Sequence, residues 1–107
     1  MSYAVVLTEN AKADLVSISR YIARDLQSRQ NAASQLARLE KAIRSLNEMP
    51  ERYRVYDDAK WQGRNLRILS VDHYLVFYIP DKDRHTVTVL CVLYGGSDWA
   101  RQLQDLN

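Results

Sequence analysis

The sequence predicts an α+β domain, a helical hairpin packed on one face of a small antiparallel sheet. Three observations carry that expectation. Two consecutive apolar stripes run at helical spacing in the first half, the second half changes to strand-like runs, and a short β-branched segment precedes the first stripe. The 107 residues suit one domain spanning 1–107 with a single core.

The elements follow in order. Residues 3–7, Tyr-Ala-Val-Val-Leu, are short, apolar and β-branched, which predicts a strand. Thr8 then offers a hydroxyl N-cap, and Glu9 sits where the helix dipole favours an acid. Ala11, Leu15, Ile18, Ile22 and Leu26 form one helical stripe. Residues 27–31 predict a break, with Ser28 able to cap a second helix. Ala32, Leu36, Leu39, Ile43 and Leu46 make a second stripe, which ends at Met49-Pro50 because proline forbids continuation. Residues 51–62 show little periodicity and predict a loop or short edge strand. Residues 65–71 predict a strand. Tyr-Leu-Val-Phe-Tyr-Ile at 74–79 is apolar on alternate positions of both faces and predicts a strand covered on both sides. Pro80-Asp81-Lys82-Asp83 is a turn cluster, and residues 86–94 make the last strand. Gly95-Gly96-Ser97 closes the sheet. Residues 98–106 predict a short helix capped by Ser97 or Asp98. The order is β-α-α-β-β-β.

Composition narrows the function classes. Apolar residues at 47% and charged residues at 26% are globular proportions, and three Gly with two Pro are too few for a disordered chain. No apolar run reaches the roughly 20 residues that span a bilayer. The first residues lack a basic region ahead of an apolar core, so no signal peptide is expected. The single cysteine, Cys91, excludes an internal disulfide and a Cys-based zinc site. Together these predict a cytoplasmic protein without metal or cofactor. The net charge is only +2, but residues 52–67 set Arg52, Arg54, Lys60, Arg64 and Arg67 against Asp57 and Asp58. Such a segment suits an acidic partner, or else a solvated loop and edge strand.

Candidate chemistry is sparse. No phosphate-binding glycine loop, nucleophile elbow or His-Glu-x-x-His occurs. His73 and His85 fall in turns at opposite ends of one predicted hairpin, too far apart to share a metal. Cys91, placed with Val89 and Leu93 on one strand face, reads as a small buried apolar side chain. Tyr53, Tyr56 and Trp61 interleave with Arg52, Arg54, Arg64 and Arg67, a mixture that fits unpaired RNA or a protein-binding rim. Alternatively Tyr53 and Trp61 cover the sheet edge while the arginines stay in water. Metal-free RNA cleavage needs a base for the 2′-hydroxyl, cations for the phosphorane and an acid for the leaving oxygen. On residues 65–71 only Arg67 fits, with Asn65 on its face. The strand at 74–79 supplies no cation, and neither does the exit Tyr94-Gly95-Gly96-Ser97.

Six segments carry a resemblance: Thr8-Glu-Asn-Ala-Lys-Ala-Asp14-Leu15 after a strand, Ile18-Ser-Arg-Tyr21-Ile22, Leu46-Asn-Glu-Met-Pro50, Asn65-Leu-Arg67-Ile-Leu, Tyr74-Leu-Val-Phe-Tyr78, and Val92-Leu93-Tyr94-Gly95-Gly96-Ser97-Asp98-Trp99. In this order and spacing, over residues 3–103, the series resembles the RelE/ParE superfamily of bacterial type II toxins. The resemblance implies the same β-α-α-β-β-β fold, growth inhibition and a cognate antitoxin that folds onto the toxin. The ribosome-dependent RNases of the superfamily carry an arginine where Leu75 stands and another near Ser97. The long hairpin and Tyr-Leu-Val-Phe-Tyr look more like the ParE branch, associated with DNA gyrase, although that branch often has arginine at Ser97. The resemblance thus implies a target- or antitoxin-binding set of Arg52, Arg54, Trp61, Arg64, Arg67, Tyr94 and Trp99. The alternative is a ribosome-dependent mRNA endonuclease using Arg67, Arg64, Arg54 or Tyr74. A third reading is a non-toxic module that only sequesters antitoxins.

Overall fold

A computed structural model describes residues 2–24 and 29–106. The first strand, β1, spans Ala4–Leu7, and helix α1 spans Glu9–Arg24. Thr8 joins them as predicted. Its hydroxyl oxygen accepts the Ala11 N–H at 3.0 Å and its O–H donates to the Leu90 carbonyl at 2.9 Å. Ala11, Ile18 and Ile22 are buried, with Leu15 packed beside them. Leu26, Gln27 and Ser28 lie outside the described residues. Helix α2 spans Arg29–Arg44, so residues 29–31 belong to the helix rather than to the predicted break. Leu39 and Ile43 are buried, and a 3-10 turn at Ser45–Asn47 carries Leu46 into the same core. Met49 adopts a left-handed conformation at φ 43°, and Pro50 opens a second 3-10 turn, Pro50–Arg52. Regular helix thus ends at Arg44, ahead of the predicted stop at Met49-Pro50, and Leu46 reaches the core from the 3-10 turn instead.

Strands β2 (Arg67–Val71), β3 (Tyr74–Asp81) and β4 (Thr86–Tyr94) complete a sheet of order β1-β4-β3-β2. The β2–β3 and β3–β4 pairs are antiparallel, as expected. β1, however, runs parallel to β4, so the sheet is mixed rather than wholly antiparallel. A parallel neighbour needs a long crossover, and the helices together with β2 and β3 supply it. β3 also runs two residues further than predicted, taking in Pro80 and Asp81. The Asp81 carboxylate then caps the turn by accepting the Asp83 and Arg84 N–H groups at 3.0 and 3.2 Å.

Both faces of β3 are covered. Tyr74, Val76 and Tyr78 meet the helices, while Phe77 joins Trp61, Leu66 and Leu103 on the far side. Helix α3, Trp99–Gln104, brings Leu103 to that second layer. A β-bulge shapes β4: Phe77 faces Cys91 and Tyr78 faces Val89, leaving Leu90 as the extra residue. The bulge shifts the alternation by one, so Val87, Val89 and Val92 all reach the helix side. Cys91 therefore shares a face with Leu93 but not with Val89, against the simple period-two expectation. Helix α1 satisfies the bulge. The Leu90 carbonyl accepts from Thr8 and from the Asn10 amide at 3.5 Å, and the Val92 N–H donates to the Asp14 carboxylate at 3.0 Å.

Candidate functional site

The segment linking Pro50 to β2 holds the basic and aromatic residues singled out by sequence. Arg67 opens β2 on the helix side, beside Tyr78. Its side chain is only 15% exposed. Nε donates to Asn65 Oδ1 at 3.1 Å, and one terminal nitrogen donates to the Glu51 and Tyr53 carbonyls, both at 2.8 Å. The other terminal nitrogen lies 3.9 Å from the Glu51 carboxylate. Next to it the Tyr78 hydroxyl donates to the Pro50 carbonyl at 2.6 Å. Burial pushes the Tyr78 phenol up to about 12, against the opposing pull of Arg67 and Arg52. Arg67 and Tyr78 therefore hang residues 50–53 on the sheet, with one terminal nitrogen of the arginine spent on two backbone oxygens.

The neighbouring cations are engaged in similar ways. Arg52 donates to the carbonyls of Ser45, Glu48 and Met49 and lies 4.7 Å from the Tyr53 ring centre. Lys60 donates to the Gln104 and Leu106 carbonyls, tying the 57–61 loop to the chain end after α3. Arg64 stacks 4.3 Å above the Trp61 ring. Trp61 itself is 1% exposed, which takes it out of the binding set and fits the alternative in which it covers the sheet. An interleaved aromatic looks the same in sequence whether it faces water or fills a layer. Arg54 is exposed; its backbone carbonyl accepts the Ile68 N–H at 3.1 Å, and among the described residues its guanidinium makes no ion pair or hydrogen bond. Trp99 is half-buried against Tyr56 and Phe77, with ring centres 5.7 Å from each.

The four residues considered for RNA cleavage do not form one cluster. Arg67 pairs with Tyr78, whereas Tyr74 pairs with Val71 at the other end of β2. Four residues of strand rise separate them by about 13 Å. His73 and His85 likewise occupy the turns at opposite ends of β3. Among the described residues no three His, Cys, Asp or Glu side chains come together as metal ligands, and no helix is long and apolar enough to cross a membrane. Cys91 is buried, which pushes its thiol up to about 12 and leaves it without thiolate character.

The structure brings together a different set. Tyr74 and Tyr94 pack edge to face, ring centres 6.0 Å apart, and with Ile18, Ser17 and Tyr21 they line a cleft of about 440 Å³. Burial raises the Tyr74 phenol, with smaller contributions from the phenols of Tyr21 and Tyr94. Tyr21 escaped the candidate set. The signal for it was an aromatic standing off the apolar stripe of α1, one turn after Ser17.

These features can be set beside known proteins. The family described as the ParE toxin of the type II toxin-antitoxin system, parDE, matches residues 5–99. The chain belongs to the ParE toxin family. No curated protein matches it. Among solved structures, this ParE toxin is similar to the toxin-antitoxin complex RelBE2 from Mycobacterium tuberculosis, at 21% identity and TM-score 0.65 over 88% of this chain and 92% of that one. It is similar to the chromosomal ParDE system from P. aeruginosa, at 13% identity and TM-score 0.67 over 87% of this chain and 96% of that one. It is also similar to the archaeal RelE-RelB complex from Pyrococcus horikoshii OT3, at 16% identity and TM-score 0.61 over 90% of this chain and 98% of that one. These likenesses establish the RelE/ParE fold, three helices on a four-stranded mixed sheet, for this ParE toxin.

Proposed function

We propose that this ParE-family toxin inhibits growth in the cytoplasm by binding a protein target, with DNA gyrase the target that family resemblance implies, and that a cognate antitoxin silences it. One observation supports contact over RNA scission: Arg67, only 15% exposed, spends Nε and one terminal nitrogen on Asn65 and on the Glu51 and Tyr53 carbonyls, and its other terminal nitrogen faces the Glu51 carboxylate at 3.9 Å. Phosphoryl chemistry without a metal needs several cations converging where charge develops. Arg52 and Lys60 are also turned onto backbone carbonyls, and Tyr74 lies at the far end of the strand pair. With three of its five N–H donors engaged and the remaining pair beside a carboxylate, this arginine is poorly placed to meet a phosphorane. The antitoxin follows from the family and from solved relatives that are themselves toxin-antitoxin complexes.

The test is a gyrase supercoiling assay with purified toxin, with and without the protein encoded by the adjacent reading frame. The expected result is inhibition by the toxin alone and restored supercoiling once the second protein is added. Unchanged supercoiling at a large excess of toxin removes gyrase as the target. The competing reading, a ribosome-dependent mRNA endonuclease acting on ribosome-bound message, requires Arg67 or Arg54 to reach RNA.

A further inference from the structure

The tyrosine cleft between α1 and the ends of β3 and β4 has no part in holding the fold together at its outer wall. Tyr21 is 71% exposed and Tyr94 is 53% exposed, while Tyr74 and Ile18 form a buried floor. Tyrosine gives large contact area while losing little rotamer freedom, and it is enriched where proteins meet. Among the described residues the lining carries no charged side chain. A phosphate entering the cleft would find no cation, which favours an apolar side chain over a nucleotide. The surroundings on α1 add charge. Ser17, Tyr21 and Arg24 share one helix face at spacings of four and three, which sets the exposed Arg24 at the border of the cleft. An apolar slot with an arginine at its border is complementary to a segment that presents one bulky side chain beside an acidic residue.

We propose that this cleft is an anchor point for the antitoxin: a bulky aliphatic or aromatic side chain inserts between Tyr21 and Tyr94, and an acidic neighbour in the same segment faces Arg24. The proposal rests on the toxin–antitoxin reading and names the chemistry by which the partner is recognised.

The test titrates the protein encoded by the adjacent reading frame into wild-type toxin and into Tyr21→Ala, Tyr94→Ala, Arg24→Glu and Lys82→Ala, by calorimetry at low and physiological salt. Both tyrosines are more than half exposed, so truncation leaves the core intact. Each tyrosine variant is expected to raise Kd by about tenfold or more. Arg24→Glu weakens binding chiefly at low salt. Lys82→Ala, in the turn at the opposite end of β3, leaves Kd unchanged. Unaltered Kd in both tyrosine variants overturns the proposal. So does loss of growth inhibition at unaltered Kd, which would make the cleft a target contact. If the wild-type toxin does not bind the adjacent-frame protein at all, the partnership itself fails and the proposal falls with it.

Discussion

Replacing Arg67 by alanine separates a structural arginine from a catalytic one. The substitution removes three hydrogen bonds, two at 2.8 Å and one at 3.1 Å, and a more distant contact with Glu51. The donor is charged and the acceptors are partly buried, so the carbonyls of Glu51 and Tyr53 lose partners that water replaces only in part. At about 1 kcal/mol net per hydrogen bond, and more where a buried acceptor is orphaned, the cost is about 2–4 kcal/mol. For a domain near this size that corresponds to a fall in Tm of roughly 10–20 °C. Arg67→Lys keeps the charge but not the fork, reaches one carbonyl at a time, and recovers less than half of the loss. Thermal and urea unfolding of the purified variants measure both. A catalytic arginine behaves differently, because its removal abolishes cleavage and leaves stability untouched or improved. An Arg67→Ala protein that melts within about 2 °C of the wild type would refute the reasoning.

Other substitutions probe the same construction. Thr8→Val preserves shape but removes the helix cap and the bond to the bulge carbonyl, and urea unfolding should register a loss of about 1–2 kcal/mol. Trp61→Ala opens a cavity in the second layer and should cost about 3–5 kcal/mol, whereas a surface contact would cost almost nothing. Tyr78 and Cys91 are both neutral acids whose native pKa is raised, from 10.0 and 9.0 to about 12 in each case. The unfolded chain sheds those protons first as pH climbs, so their stabilisation is intact below about 9 and is lost between about 9 and 12. Tyr78→Phe should flatten the upper part of that decline in a pH series of melts, at a cost near neutrality of about 1 kcal/mol for the bond to Pro50. The Cys91 thiol should react with a disulfide reagent only as fast as the native protein opens.

Much of the fold was legible because its signals are local. The Thr8 cap, the stripe from Ala11 to Ile22 and the two-faced run at 74–79 each depend on neighbours within a few residues. What escaped depends on contacts between distant segments. β1 lies parallel to β4 after two helices and two strands, and no local pattern announces that direction. The bulge at Leu90 is fixed by Thr8, Asn10 and Asp14 reaching across from α1, so strict alternation misassigns Val89. The candidate site was less legible still. A charged segment has the same sequence whether its cations face solvent or fold back, and Arg52, Lys60 and Arg67 fold back onto carbonyls. Trp61 was drawn inside for the same reason that Tyr21 was missed: one aromatic fills a layer and the other stands clear of its helix stripe. Leu75, where the RNases of the superfamily carry arginine, packs instead against the second apolar layer of Phe77, Trp61, Leu66 and Leu103.

If the toxin acts by contact, as proposed, rather than by cutting RNA, mapping mRNA 5′ ends in cells expressing the chain separates the two modes of action. The prediction is growth arrest with no new ends in phase with codons. Codon-phased cuts that disappear in an Arg67 variant of wild-type Tm would contradict it.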